Sequence, residues 1–467
     1  MFKPRSGSKR SDRFVSKLLQ EAGTRRTGTQ LLLFASGDFA FNLYWQSAML
    51  FLLYYYTDVL GVPITTAAAI FTIGALWDAL MNFAAGLALD RRERTDNSAV
   101  LRRGALPLAL AFGCTYLPPL APGMWGIAGL LIGHLLFRTA YAAVNVPYLA
   151  ISARISNDSR DRAFIAAARM LFGTAAALTV ALGTVPIGSW LTGTKGSAGA
   201  FLATAAVFAG AATLILLIVG YRLHAPARAS VPHAGSTRLA LASIARNRAF
   251  VSLAAAMMAM VVAATVLNKS VLYFFKYALG DPRGGDLALA SMALISAIAV
   301  PCWMLLARRV GLRAVWLAAA AGAASSLVLF AALQLNDSAS MYLFLGATQA
   351  MIIGLNFAFW AMLPNTIEYG ERTTGVHVEG IVFGMAALLQ RLGIGLGTAL
   401  LGWSLGATGY VANVEQVGAT LEALRWTIAL TPLVFLALSC AAMLANPLAR
   451  GVHRRIVEEA RAARPSA

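Results

Sequence analysis

The feature that most restricts the fold of this chain is a succession of apolar runs, most of about 20 residues or more, bounded by charge, Pro or Gly. A helix of this length crosses the hydrocarbon core of a bilayer with all its backbone hydrogen bonds satisfied internally. The sequence therefore predicts an all-α integral membrane protein with twelve transmembrane helices. The predicted spans are 30–56, 64–89, 104–120, 124–152, 163–189, 199–221, 249–279, 287–307, 314–334, 341–365, 379–408 and 423–446.

The composition agrees with this class. Of the 467 residues, 59% are hydrophobic and 12% are charged, whereas soluble proteins carry about a quarter charged residues. The net charge of +18 is spread over short loops and tails, which indicates lipid headgroups and topology rather than nucleic acid. Cys114, Cys302 and Cys440 lie far apart in apolar stretches, with neither disulfide nor metal spacing.

Basic residues alternate between the two predicted sides of the membrane. The loops after the odd-numbered spans hold only Lys195 and Arg283, whereas each loop after an even-numbered span contains arginine. Because short cytoplasmic loops are enriched in Lys and Arg, both termini are predicted to be cytoplasmic. We expect a multi-pass protein of a bacterial inner (plasma) membrane.

The longest loop between spans, 222–248, contains no acid and divides the chain into two predicted six-helix bundles, 30–221 and 249–446. The tails 1–29 and 447–467 are basic and predicted to be cytoplasmic. Similar basic loops, "GLALDRR" and "LLARRVGLR", follow spans 2 and 8, which fits a duplicated six-plus-six architecture. A chance match of two basic loops remains the alternative.

Charged residues fall inside the predicted spans, where each costs at least ~2.5–3.5 kcal/mol and therefore requires a reason. The candidates for a functional role are Asp38, Asp78, Arg138, Arg169, Lys269, Lys276 and Arg391. Polar residues follow three of them at helical spacing and predict stripes that face a central cavity. The stripes are Asp38 with Asn42 and Trp45, Asp78 with Asn82, and Arg138 with Tyr141 and Asn145.

A structural role is the alternative for each of these charges. Asp38 could form a buried ion pair with Arg169. For Arg138, Lys269 and Lys276 the favoured interpretation is that the long side chain reaches the headgroups from near a span end.

Candidate gating residues lie in the predicted loops. Asp90, Arg91 and Arg92 follow span 2, where a carboxylate can pair with a helix N-terminus or a cytoplasmic arginine. Glu368 and Glu379 flank the loop after span 10 and are the further gating candidates. A plain topology anchor explains the basic loop equally well.

Five segments spread over the chain resemble the glycoside–pentoside–hexuronide:cation symporters, the melibiose-carrier branch of the major facilitator superfamily. They are "YYYTDVLGV" (54–62), "WDALMN" (77–82), "VPYLAISARISNDSRDRAF" (146–164), "NTIEYGERTTGVHVEG" (365–380) and "GYVANVEQ" (409–416). The resemblance implies two six-helix bundles around a central site that opens alternately to each side.

In that family, acids on spans 1, 2 and 4, an Arg on span 5 and a Lys on span 11 surround the sugar and the coupling cation. The matching residues here are Asp38, Asp78 and Arg169, with Arg391 in place of the lysine. Other family positions depart from the pattern. Asn82 replaces the second span 2 acid, Met81 an Asn, Ala142 a Thr, Asn145 an Asp, Leu149 a Trp and Asn365 an Asp.

These departures change the expected chemistry. Sodium needs several hard oxygen ligands with negative charge, so the family's sodium site is degraded and no metal site is predicted with confidence. A proton needs one carboxylate in an apolar span, and we expect H+ coupling through Asp78 or Asp38, with Na+ coupling or uniport as alternatives. Arginine pairs with anions in a bidentate manner, so an acidic, hexuronide-like glycoside is favoured over a neutral sugar.

The sequence thus predicts a secondary active sugar or glycoside transporter, with a small-molecule substrate, a coupling cation and membrane lipids as partners, no cofactor, and a monomeric state. One alternative is a lysophospholipid or other amphipathic anion transporter of the same family, although the short loops disfavour it. A non-transporting sensor is another. A membrane enzyme is disfavoured because the five His are scattered and no metal or nucleophile motif occurs.

Overall fold

Twelve long helices dominate the part of the chain that the structure, a computed structural model, describes: residues 28–90, 97–152, 159–223, 237–333, 335–374 and 379–448. They are α1 (Gly28–Leu50), α2 (Ile64–Asp90), α3 (Asn97–Thr115), α4 (Met124–Ser152), α5 (Ser159–Thr192), α6 (Ala198–Arg222), α7 (Arg248–Tyr273), α8 (Pro282–Val310), α9 (Leu312–Leu333), α10 (Ser338–Thr374), α11 (Glu379–Ala407) and α12 (Gly418–Leu444).

The predicted spans match these helices, with two corrections. The third span, predicted at 104–120, is α3 and begins at Asn97, because its first turns carry polar and basic residues that the apolar count excluded. The segment 222–248, predicted as a loop, contains a short helix, Thr237–Arg246, directly before α7. Nearly all of the predicted tails 1–29 and 447–467 lies outside the described residues.

Ten of the described helices are long and apolar enough to cross a membrane. The long helices outside that set are α1 and α3, and each carries a charged side chain that contacts another helix. Asp38 of α1 pairs with Arg169 of α5, and Arg102 of α3 donates to the Gly220 carbonyl of α6 at 2.7 Å. These polar side chains contribute to helix packing, and their presence lowers the mean hydropathy of α1 and α3.

The two halves of the chain have the same packing pattern. In the first half α1 packs against α5 and α6, α2 against α4, and α3 against α4 and α6. In the second half α7 packs against α11 and α12, α8 against α10, and α9 against α10 and α12. The two bundles meet along α2–α11 and along α5–α8, which are equivalent pairs under this repeat. The shared pattern is that of the major facilitator fold.

Both halves also end their first helix in the same way. α1 continues through Leu52–Tyr54 into a π-helical turn, Tyr55–Val59, and α7 continues into the π-helical turn Phe274–Ala278. A π-helical turn redirects the side chains that follow it and is frequent at functional sites. We call the end of the molecule at which these two turns lie the Asp58 end.

Candidate functional site

The central polar site is built around Asp78 of α2, whose side chain is fully buried. Arg391 of α11 places its Nε 2.9 Å from Asp78 Oδ2, and Arg138 of α4 places its Nη1 3.9 Å from the same oxygen. Although Arg391 Nε is close, Asp78 Oδ2 has no partner aligned for a hydrogen bond. One carboxylate is therefore held between two guanidinium groups mainly by charge.

Asn82, which was predicted to lie on the same helix face as Asp78, contacts this carboxylate as a hydrogen-bond donor. Its Nδ2 donates to the Asp78 carbonyl at 2.7 Å and to Asp78 Oδ1 at 3.1 Å. An amide that points its nitrogen at the carboxylate does not offer its oxygen to a shared cation. Within the described residues, no group of three His, Cys, Asp or Glu side chains is arranged to hold a metal ion.

Aromatic side chains form one wall of the site. The guanidinium carbon of Arg391 lies 4.0 Å from the ring centroid of Trp45, and that of Arg138 lies 5.1 Å from it. Tyr141 lies beside Trp45, with ring centroids 5.8 Å apart. Cation–π contact orients both arginines without neutralising them, so the predicted residues Trp45, Tyr141 and Arg391 do come together.

A second ion pair joins α1 to α5 within the first bundle. Arg169 Nε donates to Asp38 Oδ2 at 2.5 Å and Arg169 Nη2 to Oδ1 at 3.1 Å, and the Tyr148 hydroxyl donates to Oδ2 at 2.7 Å. The alternative that Asp38 and Arg169 pair with each other is the one observed. Asn42 is half-buried and donates to the Asp38 carbonyl at 2.8 Å, and Asn145 is also half-buried.

The prediction that the long basic side chains reach the headgroups is wrong for Arg138 and Lys269. Arg138 is 2% exposed and Lys269 is 6% exposed. Lys276 is partly exposed, but its Nζ pairs with Asp58 Oδ1 at 2.6 Å. Hydropathy placed these residues near span ends, but it gives no information about which helix face meets the other bundle.

Sequence reasoning gave Asp58 no role, although "YYYTDVLGV" contains it. Its buried carboxylate is at the end of α1 and accepts hydrogen bonds from Lys276 and Tyr277 at the end of α7. Tyr410, in the segment after α11, donates to Asp58 Oδ2 at 2.8 Å, and Asn413 Nδ2 donates to the Asp58 carbonyl at 2.6 Å. The sequence did contain a signal for this pair, because an acid follows the first helix of one half and a lysine follows the first helix of the other.

This Asp58 network joins the two bundles. Burial, and then the negative charge of Asp58, raise the pKa of the Tyr410 hydroxyl, which keeps it protonated as a donor. Thr57 and Tyr273 add a hydroxyl pair at 2.9 Å between the same two helix ends. Asn413 has a φ of 61°, a left-handed conformation that asparagine tolerates and that turns its amide toward Asp58.

The predicted gating residues are only partly described. Arg91 and Arg92 lie outside the described residues, as do the side chains of Asp90 and Glu379. Glu368 is exposed on α10 and has an interaction partner. The gating role of these five residues stays a prediction.

Comparison with known proteins decides the family. The family described as MFS/sugar transport protein matches residues 33–450. This chain belongs to that family. The resemblance to the glycoside–pentoside–hexuronide symporters is thereby confirmed, and with it a membrane transporter with a small-molecule substrate.

Individual relatives align with more than nine-tenths of this transporter. An Escherichia coli protein named glucuronide carrier protein homolog is 26% identical over 447 residues, covering 91% of this chain and 94% of that protein. A Salmonella typhimurium protein provisionally named a 2,3-dihydroxypropane-1-sulfonate exporter is 28% identical over 451 residues, with 92% and 94% covered. A bacterial homologue of the lysosomal transporter Spinster, solved inward-facing, has the same fold with a TM-score of 0.67 at 14% identity, and the match covers 93% of this chain and 99% of that one.

Proposed function

We propose that this protein is a secondary active transporter that carries an acidic sugar derivative across a bacterial inner membrane by alternating access, with H+ as the coupling ion. The observation that carries this proposal is the pairing of a buried carboxylate, Asp78, with two arginines from opposite bundles, Arg138 and Arg391. The site has more cationic groups than carboxylates, and a substrate with a negative charge would balance it.

An acidic substrate fits the side chains that remain accessible. Arg391 is 21% exposed and stacks against Trp45, so the other nitrogens of its guanidinium are available to a ligand. A planar guanidinium binds a carboxylate or sulfonate through paired hydrogen bonds. The relatives named for a glucuronide and for a sulfonate support an anion of this class. The Trp45 ring offers an apolar surface for the face of a sugar ring.

Coupling to a proton follows from the same carboxylate. When a substrate anion binds Arg391, the buried Asp78 carboxylate loses its nearer cation, and a proton bound by Asp78 would compensate for that loss. Sodium is disfavoured because Asn82 donates to Asp78 and two guanidinium groups lie within 4.0 Å of its carboxylate. A proton then enters with the anion, so that the site stays balanced in both states.

Alternating access requires two states, and the described contacts support one that is closed at the Asp58 end. There the Asp58 network and the α2–α11 contact join the bundles. By the distribution of basic loops this end is periplasmic and both termini are cytoplasmic. We propose that the monomer is the transporting unit, that it needs no cofactor, and that it catalyses no chemical reaction.

The test is substrate-driven pH change in proteoliposomes, with 4-nitrophenyl glucuronide and the neutral 4-nitrophenyl glucoside as a matched pair. We expect the glucuronide to alkalinise the medium with or without sodium, and Asp78→Asn to abolish the signal. Asp337→Asn, which changes an exposed acid whose carboxylate accepts hydrogen bonds from Ser340, is the matched control and should behave as the wild type.

Three outcomes would overturn parts of the proposal. A strict sodium requirement would exclude proton coupling and mean that a cation site exists elsewhere in the chain. Uptake without any pH change would indicate uniport. Transport of the glucoside alone would exclude the acidic substrate.

A further inference from the structure

Lys269 of α7 is a buried lysine that the proposed transport site does not use. Its Nζ donates to the Met49 carbonyl of α1 at 3.2 Å and lies 4.1 Å from the ring centroid of Phe71 on α2. Within the described residues, no carboxylate forms an ion pair with it. A carbonyl and an aromatic face stabilise an ammonium group, but neither of them neutralises its charge.

Both partners of Lys269 belong to the other bundle. Met49 and Phe71 lie in the first half of the chain, whereas Lys269 moves with α7 in the second half. Lys276, two helical turns further along α7, is part of the Asp58 network. If the Asp58 end opens, α7 separates from α1 and α2 there, and Lys269 loses the carbonyl and the ring together.

We propose that Lys269 is an anion-binding residue of the state that is open at the Asp58 end, where it receives the carboxylate or sulfonate of the incoming substrate. In the closed state the Met49 carbonyl and the Phe71 ring contact the ammonium group of Lys269. In the open state the ammonium group faces the entry route without these two contacts, and the negatively charged group of the substrate takes their place. This inference rests on the proposed function and deepens it, because it states where the acidic group binds first.

The position of Lys269 relative to the central site supports this order. His134 of α4 packs edge-on against Phe71, with ring centroids 4.9 Å apart, and its Nε2 accepts from Arg138 Nε at 3.3 Å. Lys269 thus lies between the Asp58 end and the arginines of the central site. An anion that moves inward from Lys269 meets Arg138 and Arg391 next.

The test uses uptake into vesicles whose Asp58 end faces outward. We expect Lys269→Met, which keeps the length of the side chain and removes the charge, to raise the KM for 4-nitrophenyl glucuronide at least tenfold with little change in kcat. Lys269→Arg should stay within about threefold of the wild type. Ser270→Ala, which removes a hydroxyl that donates to the Val266 carbonyl of the same helix, is the control and should leave KM unchanged.

A charge-rescue experiment covers the case in which Lys269→Met does not reach the membrane. In a protein whose three native cysteines are replaced by serine, Lys269→Cys is treated with methanethiosulfonate reagents from the Asp58 side. Aminoethyl modification restores a cation and should lower the KM toward that of the wild type, whereas the uncharged methyl reagent should not. Equal rescue by both reagents would overturn the role of charge.

Failure of the role of Lys269 and failure of the proposed function would give different results. A wild type that transports the glucuronide, with Lys269→Met at an unchanged KM, would overturn the role of Lys269 and leave the proposed function standing. A wild type that does not transport the glucuronide would overturn the proposed function and this inference with it.

Discussion

Arg391 Nε lies 2.9 Å from Asp78 Oδ2, and this ion pair joins the two bundles in the middle of the molecule. Asp78 is fully buried on α2, whereas Arg391 is partly exposed on α11. A buried carboxylate that loses its cation is strongly destabilised. The charge state of this site is therefore tied to the relative position of the bundles, which is the property that a coupled transporter needs.

A double-mutant cycle tests this pair. Arg391→Gln leaves Asp78 with the longer ion pair to Arg138 and the hydrogen bond from Asn82. Asp78→Asn leaves two unneutralised arginines. Each substitution is expected to destabilise the protein by about 1–3 kcal/mol. The double variant should lose less than the sum of the two. The measurement is thermal unfolding in detergent, and strictly additive losses would show that the two side chains do not interact.

The geometry of the Asp38–Arg169 pair predicts that transport requires arginine at position 169. Arg169 donates through two nitrogens to the two oxygens of Asp38, which a single ammonium group does not reproduce. Arg169→Lys is expected to lower kcat/KM at least tenfold although the charge is kept. Arg283→Lys, at an exposed position in the first turn of α8, should have no effect. Wild-type uptake by Arg169→Lys would show that charge alone suffices.

The Asp58 network predicts control of one end of the molecule. Asp58→Asn removes the charge that pairs with Lys276, so the closed state at this end should become less populated. We expect an Asn268→Cys probe on α7 to react several times faster with a membrane-impermeant maleimide, in a protein otherwise free of cysteine.

The matched control for that experiment is Asp337→Asn at the start of α10, which changes an exposed acid outside the bundle interface. It should leave the labelling rate unchanged. Equal labelling rates with and without the Asp58→Asn substitution would mean that apolar contacts alone keep this end closed.

Close helix packing predicts the effect of single methyl groups on α11. A Cβ at Gly402 would lie 2.1 Å from Ala68 Cβ, and one at Gly406 would lie 2.3 Å from Thr65 Cγ2. Gly402→Ala is therefore expected to force α2 and α11 apart and to cost about 1–3 kcal/mol. The measurements are the melting temperature and the same labelling rate.

Gly384→Ala is the control on the same helix, because a Cβ there would meet nothing within 4 Å. It should be neutral or slightly stabilising, since alanine favours the helix over glycine. A Gly402→Ala protein with the stability of Gly384→Ala would contradict the observed helix contact.

Some of the site followed from the sequence because charge in a membrane is expensive wherever it occurs. The stripe of Asp38, Asn42 and Trp45 and the pair of Asp78 and Asn82 lie on common helix faces, since residues four apart are neighbours on any helix. The sequence also showed directly that position 391 is an arginine, where the resembled family has a lysine. Which of these residues meet across helices was not, because Asp78 and Arg391 are 313 positions apart.

The sequence by itself determined the membrane class, the helices and the division into two halves, since these depend on hydropathy and on local periodicity. Tertiary structure alone decided that Arg138 and Lys269 are buried, that Lys276 pairs with Asp58, and that Asn82 donates to Asp78. The physical reason is that hydropathy reports only how much of a helix avoids water. Lipid and a neighbouring helix satisfy that requirement equally well, and only the packing of the two bundles distinguishes them.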